Sequence, residues 1–190
     1  MVESGLKQVL NPSTILLSDG EQQMSGTSIA STFEGQKTFL VEVQALVTPA
    51  VYGTPQRSAN GFNLKRLNML LALLEKKCGF KLSSQDVFLN IAGGISVSDP
   101  SMDLAIVASI LSSNEDFVIG PKICFAGEVG LNGEIRPIPR IESHVQEADR
   151  IGFNSIVISS KNKLISNSEN IRIVKCDKVM DLYTHLANFK

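Results

Sequence analysis

The sequence has few cysteines, no long apolar run and no surplus of either charge, and each absence excludes a class of protein. Cys78, Cys124 and Cys176 are its three cysteines, 46 and 52 residues apart. An odd number with no Cys-x-x-Cys pair excludes a zinc site and a disulfide framework, and it fits a reducing cytoplasm. The longest apolar run, Met69 to Leu74, has six residues, whereas a bilayer span needs about 20. No segment is therefore expected to cross a membrane. Residues 1–20 interleave Glu3, Lys7, Asn11 and Asp19 with short apolar pieces, so no secretory signal is read there. Eighteen Lys and Arg against nineteen Asp and Glu leave a net charge of −1. That balance excludes a protein that coats nucleic acid by bulk charge but leaves room for a local basic patch. The two histidines, His144 and His185, fall on separate predicted helices, 41 residues apart, with no cysteine or second histidine at i+3 or i+4. They are expected on helix faces, and no metal is expected.

What is present suits one globular domain. Apolar residues make up 43% and charged residues 19% of 190, enough to bury a core. The pattern predicts a single α/β layered domain over residues 1–190: an N-terminal β-hairpin, a mixed sheet and packed helices. Asn11-Pro12-Ser13 opens a short helical piece through Leu17, followed by a polar loop from Ser18 to Ser25. Thr27–Phe33 and Thr38–Val47 alternate around Glu34-Gly35-Gln36 as a hairpin. Pro49 to Gly61 reads as a long loop. Asn63 caps a helix from Leu64 to Cys78 that buries Leu64, Leu67, Leu71 and Leu74 and stops at Gly79. A strand at Asp86–Ile91 ends at Ala92-Gly93-Gly94, and a buried helix runs from Ser101 to Ser112. Ile123–Val129 is read as one strand, returning through Leu131-Asn132-Gly133 to Glu134–Ile138. A helix from Arg140 to Arg150, strands at Ser155–Ser159 and Ile171–Lys175, and a helix from Lys178 to Asn188 complete the order.

Two motifs invite a chemical reading. Gly35-Gln36-Lys37-Thr38 is similar to the end of a phosphate loop, but it leads into a strand, whereas a phosphate loop must open a helix. This chain is therefore not expected to bind ATP by itself. Asp99-Pro100-Ser101 stands where a loop enters a buried helix, so the Ser101 hydroxyl is placed near free N–H groups and a positive helix end. The alternative is a helix start, with Asp99 or Ser101 as cap, Pro100 in the first turn and Asp103 at the favoured acidic end.

From Glu3-Ser4-Gly5-Leu6 to about Ser159 the chain resembles the C-terminal domain of the RadA (Sms) family of bacterial recombination and repair ATPases. The stretches that carry the resemblance are Gly5-Leu6 through Asn11-Pro12-Ser13, Val41-Glu42-Val43-Gln44-Ala45-Leu46-Val47, Asn90-Ile91-Ala92-Gly93-Gly94, Asp103-Leu104-Ala105-Ile106 and Gly127-Glu128-Val129-Gly130-Leu131-Asn132-Gly133-Glu134-Ile135-Arg136. Residues 160–190 match only loosely and are assigned no role. That domain in turn resembles the proteolytic domain of Lon enzymes, which use a Ser–Lys dyad. Pro100-Ser101 matches the serine turn, with Asp99, Met102 and Asp103 in place of its Gly, Ala and Gly, so Ser101 stands at the nucleophile position. The lysine position falls in Pro139-Arg140-Ile141-Glu142 and holds Glu142, a far weaker base. No lysine lies between Lys122 and Lys161 to replace it. His144, two residues on and roughly 200° around the helix, is expected to face away. The dyad is broken, and no catalytic residue is expected.

The resemblance implies another role: a non-proteolytic domain that supports a hexameric ring and contacts single- or double-stranded DNA during recombination and branch migration, with a recombinase filament as a further partner. It also implies that ATP, Mg and Zn belong to a RecA-like ATPase and a zinc ribbon upstream, which makes this chain a fragment of a cytoplasmic DNA-dependent ATPase. Arg57, Lys65, Arg66, Arg136 and Arg140 are the candidate phosphate contacts, with Arg57 and Arg66 favoured by the family pattern. A Lon-type serine peptidase and a purely structural oligomerisation module are the alternatives.

Overall fold

The computed structural model describes residues 13–17, 24–51, 53–120, 122–165 and 170–187. The elements in chain order are α1 (Ser13–Leu16), β1 (Thr27–Glu34), β2 (Lys37–Pro49), β3 (Arg57–Asn60), α2 (Leu64–Cys78), β4 (Gln85–Ile91), α3 (Asp103–Asn114), β5 (Ile123–Ala126), β6 (Glu128–Val129), β7 (Ile135–Arg136), α4 (Ile141–Ile151), β8 (Ser155–Ser159), β9 (Arg172–Cys176) and α5 (Val179–Ala187). Seven strands form one mixed sheet in the order β3-β4-β2-β1-β5-β8-β9. Neighbours β1, β2 and β4 are antiparallel, and the remaining pairs are parallel.

The hairpin forms where alternation and turn chemistry agree. β1 and β2 pair from Thr27↔Gln44 to Glu34↔Lys37. Gly35, at φ 62, supplies the positive φ that a two-residue turn needs at its first position. Alternation also sends successive β2 residues to opposite layers. Val41 and Val43 enter the core beneath α2, α3 and α5, while Leu40 packs with Ile141, Val145 and Ala148 of α4. The second layer covers only part of the sheet. On β2 and β4, Leu46 and Phe88 stay 58% and 37% exposed.

α2 begins and ends as its caps require. The Asn63 side chain accepts from the Arg66 N–H, and Gly79 takes the left-handed conformation at φ 81. Its buried residues are Leu67, Leu70, Leu71, Leu73 and Leu74. Leu64, expected inside, is 43% exposed because it lies in the first turn, before the helix reaches the core.

Two readings of the sequence are corrected. Within the expected loop Pro49–Gly61, Arg57–Asn60 is an edge strand, parallel to β4 from Arg57↔Val87 to Asn60↔Asn90. Four residues with one apolar member, Ala59, gave no periodicity to read. The expected strand Ile123–Val129 divides at Gly127, and its two parts join different sheets: β5 the main one, β6 a separate ladder with β7. Gly127 turns the chain past the start of α3, donating to the Ser101 carbonyl at 2.9 Å and accepting from the Leu104 N–H at 3.1 Å. A Cβ there would come within 3.2 Å of both Leu104 and Ile135. Asn11, Pro12, most of the loop from Ser18 to Ser25, and Asn188 lie outside the described residues.

Candidate functional site

Ser101 sits in a single 3-10 turn, Pro100–Met102, that leads into α3 and is capped by Asp99. The cap is the reading that holds. Asp99 Oδ1 accepts from the Ser101 N–H at 3.0 Å, and Oδ2 accepts from the Ser101 hydroxyl at 2.7 Å. Oδ2 also takes the Phe33 N–H at 2.9 Å and the Thr32 hydroxyl at 3.1 Å. Burial pushes the Asp99 carboxyl up, but the hydrogen bonds from Ser101, Phe33 and Thr32 outweigh it and hold the group below its ordinary range. A carboxylate so stabilised is a poor base. Ser101 itself is 1% exposed.

Glu142 plays no part in this cluster: its Oε1 accepts from the Ile165 N–H at 3.3 Å, on the outside. His144 corrects the expectation that it faces away. It is buried, its Nδ1 lies 2.9 Å from Ser31 Oγ, and its ring meets Phe33 edge-on at 4.8 Å. Ser31 is also the residue whose carbonyl lies 3.2 Å from Ser101 Oγ. The buried stripe of α4 is Ile141, His144, Val145 and Ala148, the spacing i, i+3, i+4, i+7 of one helix face. That spacing was visible in the sequence and places 144 inside and 142 outside. Burial pushes the His144 pKa down to about 4, against an opposing pull from Asp99.

The five candidate cations fall into different surroundings. Arg66 grips Asp103 bidentately through Nε and Nη2, and Nη2 also donates to the Val129 carbonyl at 3.2 Å. Asp103 is wholly buried, and the hydrogen bond to it raises the Arg66 pKa above the ordinary guanidinium value. Arg136 reaches Glu134 at 2.8 Å and Glu128 at 3.4 Å. Glu128 Oε1 is also 3.9 Å from Arg66, so this carboxylate draws Arg66 and Arg136 together. Arg140 lies over the Phe33 ring, 5.2 Å from its centre. Lys65 is exposed on the first turn of α2, and half-buried Arg57 opens the edge strand. The sequence did not reveal that Asp103 is the partner of Arg66, because 37 residues separate them.

Residues 48–162 match the family model described as subunit ChlI of Mg-chelatase. Across 162 residues the chain is 46% identical to the DNA repair protein RadA of Bacillus subtilis (strain 168), an alignment covering 85% of this chain and 35% of that protein. It is 41% identical to the DNA repair protein RadA of Synechocystis sp. over 94% of this chain and 35% of the relative. With the DNA repair protein RadA of Streptococcus pneumoniae it shares 39% identity, over 96% of this chain and 44% of the relative. The chain belongs to the RadA family, in its ChlI-like domain. It spans 35% to 44% of the length of these RadA relatives. In this RadA-family domain the position that resembles a protease serine lies buried in a turn capped by Asp99. Among the described residues no helix is long and apolar enough to cross a membrane.

Proposed function

We propose that this domain is the non-proteolytic, DNA-contacting part of a RadA-type DNA repair protein. The observation that carries the non-proteolytic half is the Ser101 hydroxyl, buried and donated to Asp99. The DNA half is supported by relatives named DNA repair proteins and by cations on the surface of a domain with no net positive charge. Arg57, Lys65, Arg136 and Arg140 are the phosphate contacts in this reading. Each contact made by one copy is weak, and repetition around a hexameric ring turns weak contacts into avidity. ATP, Mg and Zn are needed by other parts of the whole cytoplasmic protein, where ATP hydrolysis drives branch migration, and a recombinase filament is a further partner.

The test is fluorescence anisotropy of labelled single- and double-stranded DNA titrated with this chain at low and moderate salt, beside the Arg57→Glu/Lys65→Glu variant. Salt-sensitive binding lost in the variant supports the reading. Absence of binding at concentrations where light scattering shows a hexamer reduces the domain to a structural oligomerisation module.

A further inference from the structure

The β6–β7 hairpin has two residues in each strand, too little to hold a conformation alone. Its facing pair, Val129 and Ile135, sends both N–H groups outward rather than to each other. The Ile135 N–H donates to the Asp177 carbonyl at 2.8 Å, and the Ile135 carbonyl accepts from the Ser159 hydroxyl at 2.7 Å. On the other edge, the Val129 N–H donates to Asp103 Oδ2 at 3.0 Å, and the Val129 carbonyl accepts from Arg66 Nη2 at 3.2 Å. The Arg66–Asp103 pair thus offers one acceptor and one donor to Val129, the two groups a neighbouring strand would offer.

We infer that Arg66 is a positioning residue: through Asp103 and Val129 it fixes the hairpin that carries Glu128 and Arg136, and so places Arg136 for phosphate. This rests on the reading that the domain contacts DNA, and it moves Arg66 from the set of direct contacts to the support behind them. Two features make arginine the residue for this task. Its planar fork satisfies both carboxylate oxygens and a carbonyl together, which an ammonium does not. Its charge also compensates a carboxylate that is wholly buried and would be strongly destabilising unpaired. The pair joins three segments distant in sequence: the start of α2, the start of α3 and β6.

The test combines backbone hydrogen exchange with DNA titration, on the chain as it stands and on Arg66→Gln, Arg66→Lys, Arg136→Ala and the Arg66→Gln/Arg136→Ala double variant. Loss of a charge-assisted hydrogen bond is expected to speed exchange across residues 128–136 by about tenfold or more in Arg66→Gln, while the interior of α2 keeps its protection. Arg66→Lys keeps the charge and the fold but is expected to leave the hairpin fast-exchanging. For DNA, the double variant is expected to bind no more weakly than Arg136→Ala, because Arg66 acts through Arg136. Unchanged exchange over 128–136 in both Arg66 variants overturns the inference, as does a double variant whose losses add. If the unmodified chain binds no DNA, the DNA reading fails, and the exchange result alone decides whether Arg66 holds the hairpin.

Discussion

The Ser101 hydroxyl lies 2.7 Å from Asp99 Oδ2, and the same carboxylate takes the Ser101 N–H at 3.0 Å. Two residues of one turn thus close a small ring, and the single hydroxyl proton is directed to a carboxylate held below its usual pKa. The proposed non-proteolytic reading rests on two features of this serine, the glutamate at 142 and this bond. Restoring lysine with Glu142→Lys is therefore expected to leave Ser101 unreactive. Intact-mass analysis after treatment with a fluorophosphonate should show no adduct on either protein. An adduct on Ser101 of Glu142→Lys would mean that the missing base alone silenced the site.

His144 gives the domain an acid-sensitive element. Its folded-state pKa, pushed down to about 4 by burial, lies below the ordinary 6.5. The unfolded chain therefore binds more protons between these values, and stability rises with pH across that window. Acidification from pH 7 to pH 5 should cost the native protein about 2 kcal/mol through this group. Denaturant melts of the protein and of His144→Asn at the two pH values measure it. An equal loss in both would show that His144 is not the sensitive group.

Gly26 and Gly35 both adopt positive φ, yet they should differ sharply in tolerance. A Cβ on Gly26 would stand 2.2 Å from the Ala45 carbonyl oxygen, whereas one on Gly35 meets nothing within 4 Å. Gly26→Ala is expected to destabilise by at least about 3 kcal/mol, and Gly35→Ala by about 1 kcal/mol, the conformational cost alone. Urea titration of the two variants ranks them, and similar midpoints would contradict the packing around Gly26.

Lys65 is exposed on the first turn of α2, at the helix end where a cation opposes the macrodipole and adds no stability. Lys65→Ala is expected to leave the melting temperature unchanged while lowering the slope of log affinity against log salt on duplex DNA by about 0.9. A variant that keeps the native slope would remove Lys65 from the set of contacts.

Much of the fold was legible because local signals agreed. Asn63 and Gly79 bounded α2 to the residue, the hairpin followed its Gly35 turn, and Ser155–Ser159 stood out as a strand. Two features were not legible. Arg57–Asn60 becomes a strand only because β4 offers an edge beside it, and Gly127 breaks a continuous β pattern for the sake of α3. The site divided along the same line. The cap at Asp99 is local and could be read from neighbours in sequence. The Arg66–Asp103 pair and the Ser31–His144 contact join residues 37 and 113 positions apart, which a single sequence does not bring together.

The division of the chain at Gly127 has a consequence for recognition. The seven-stranded sheet is complete without the β6–β7 hairpin, yet Val129 and Ile135 are buried in its core and tie the hairpin to it. Both its edges are also fastened by hydrogen bonds, to Asp103 and Arg66 on one side and to Ser159 and Asp177 on the other. On the proposed reading, a phosphate that meets Arg136 meets a surface already fastened in place, and the entropy lost on association falls on the partner.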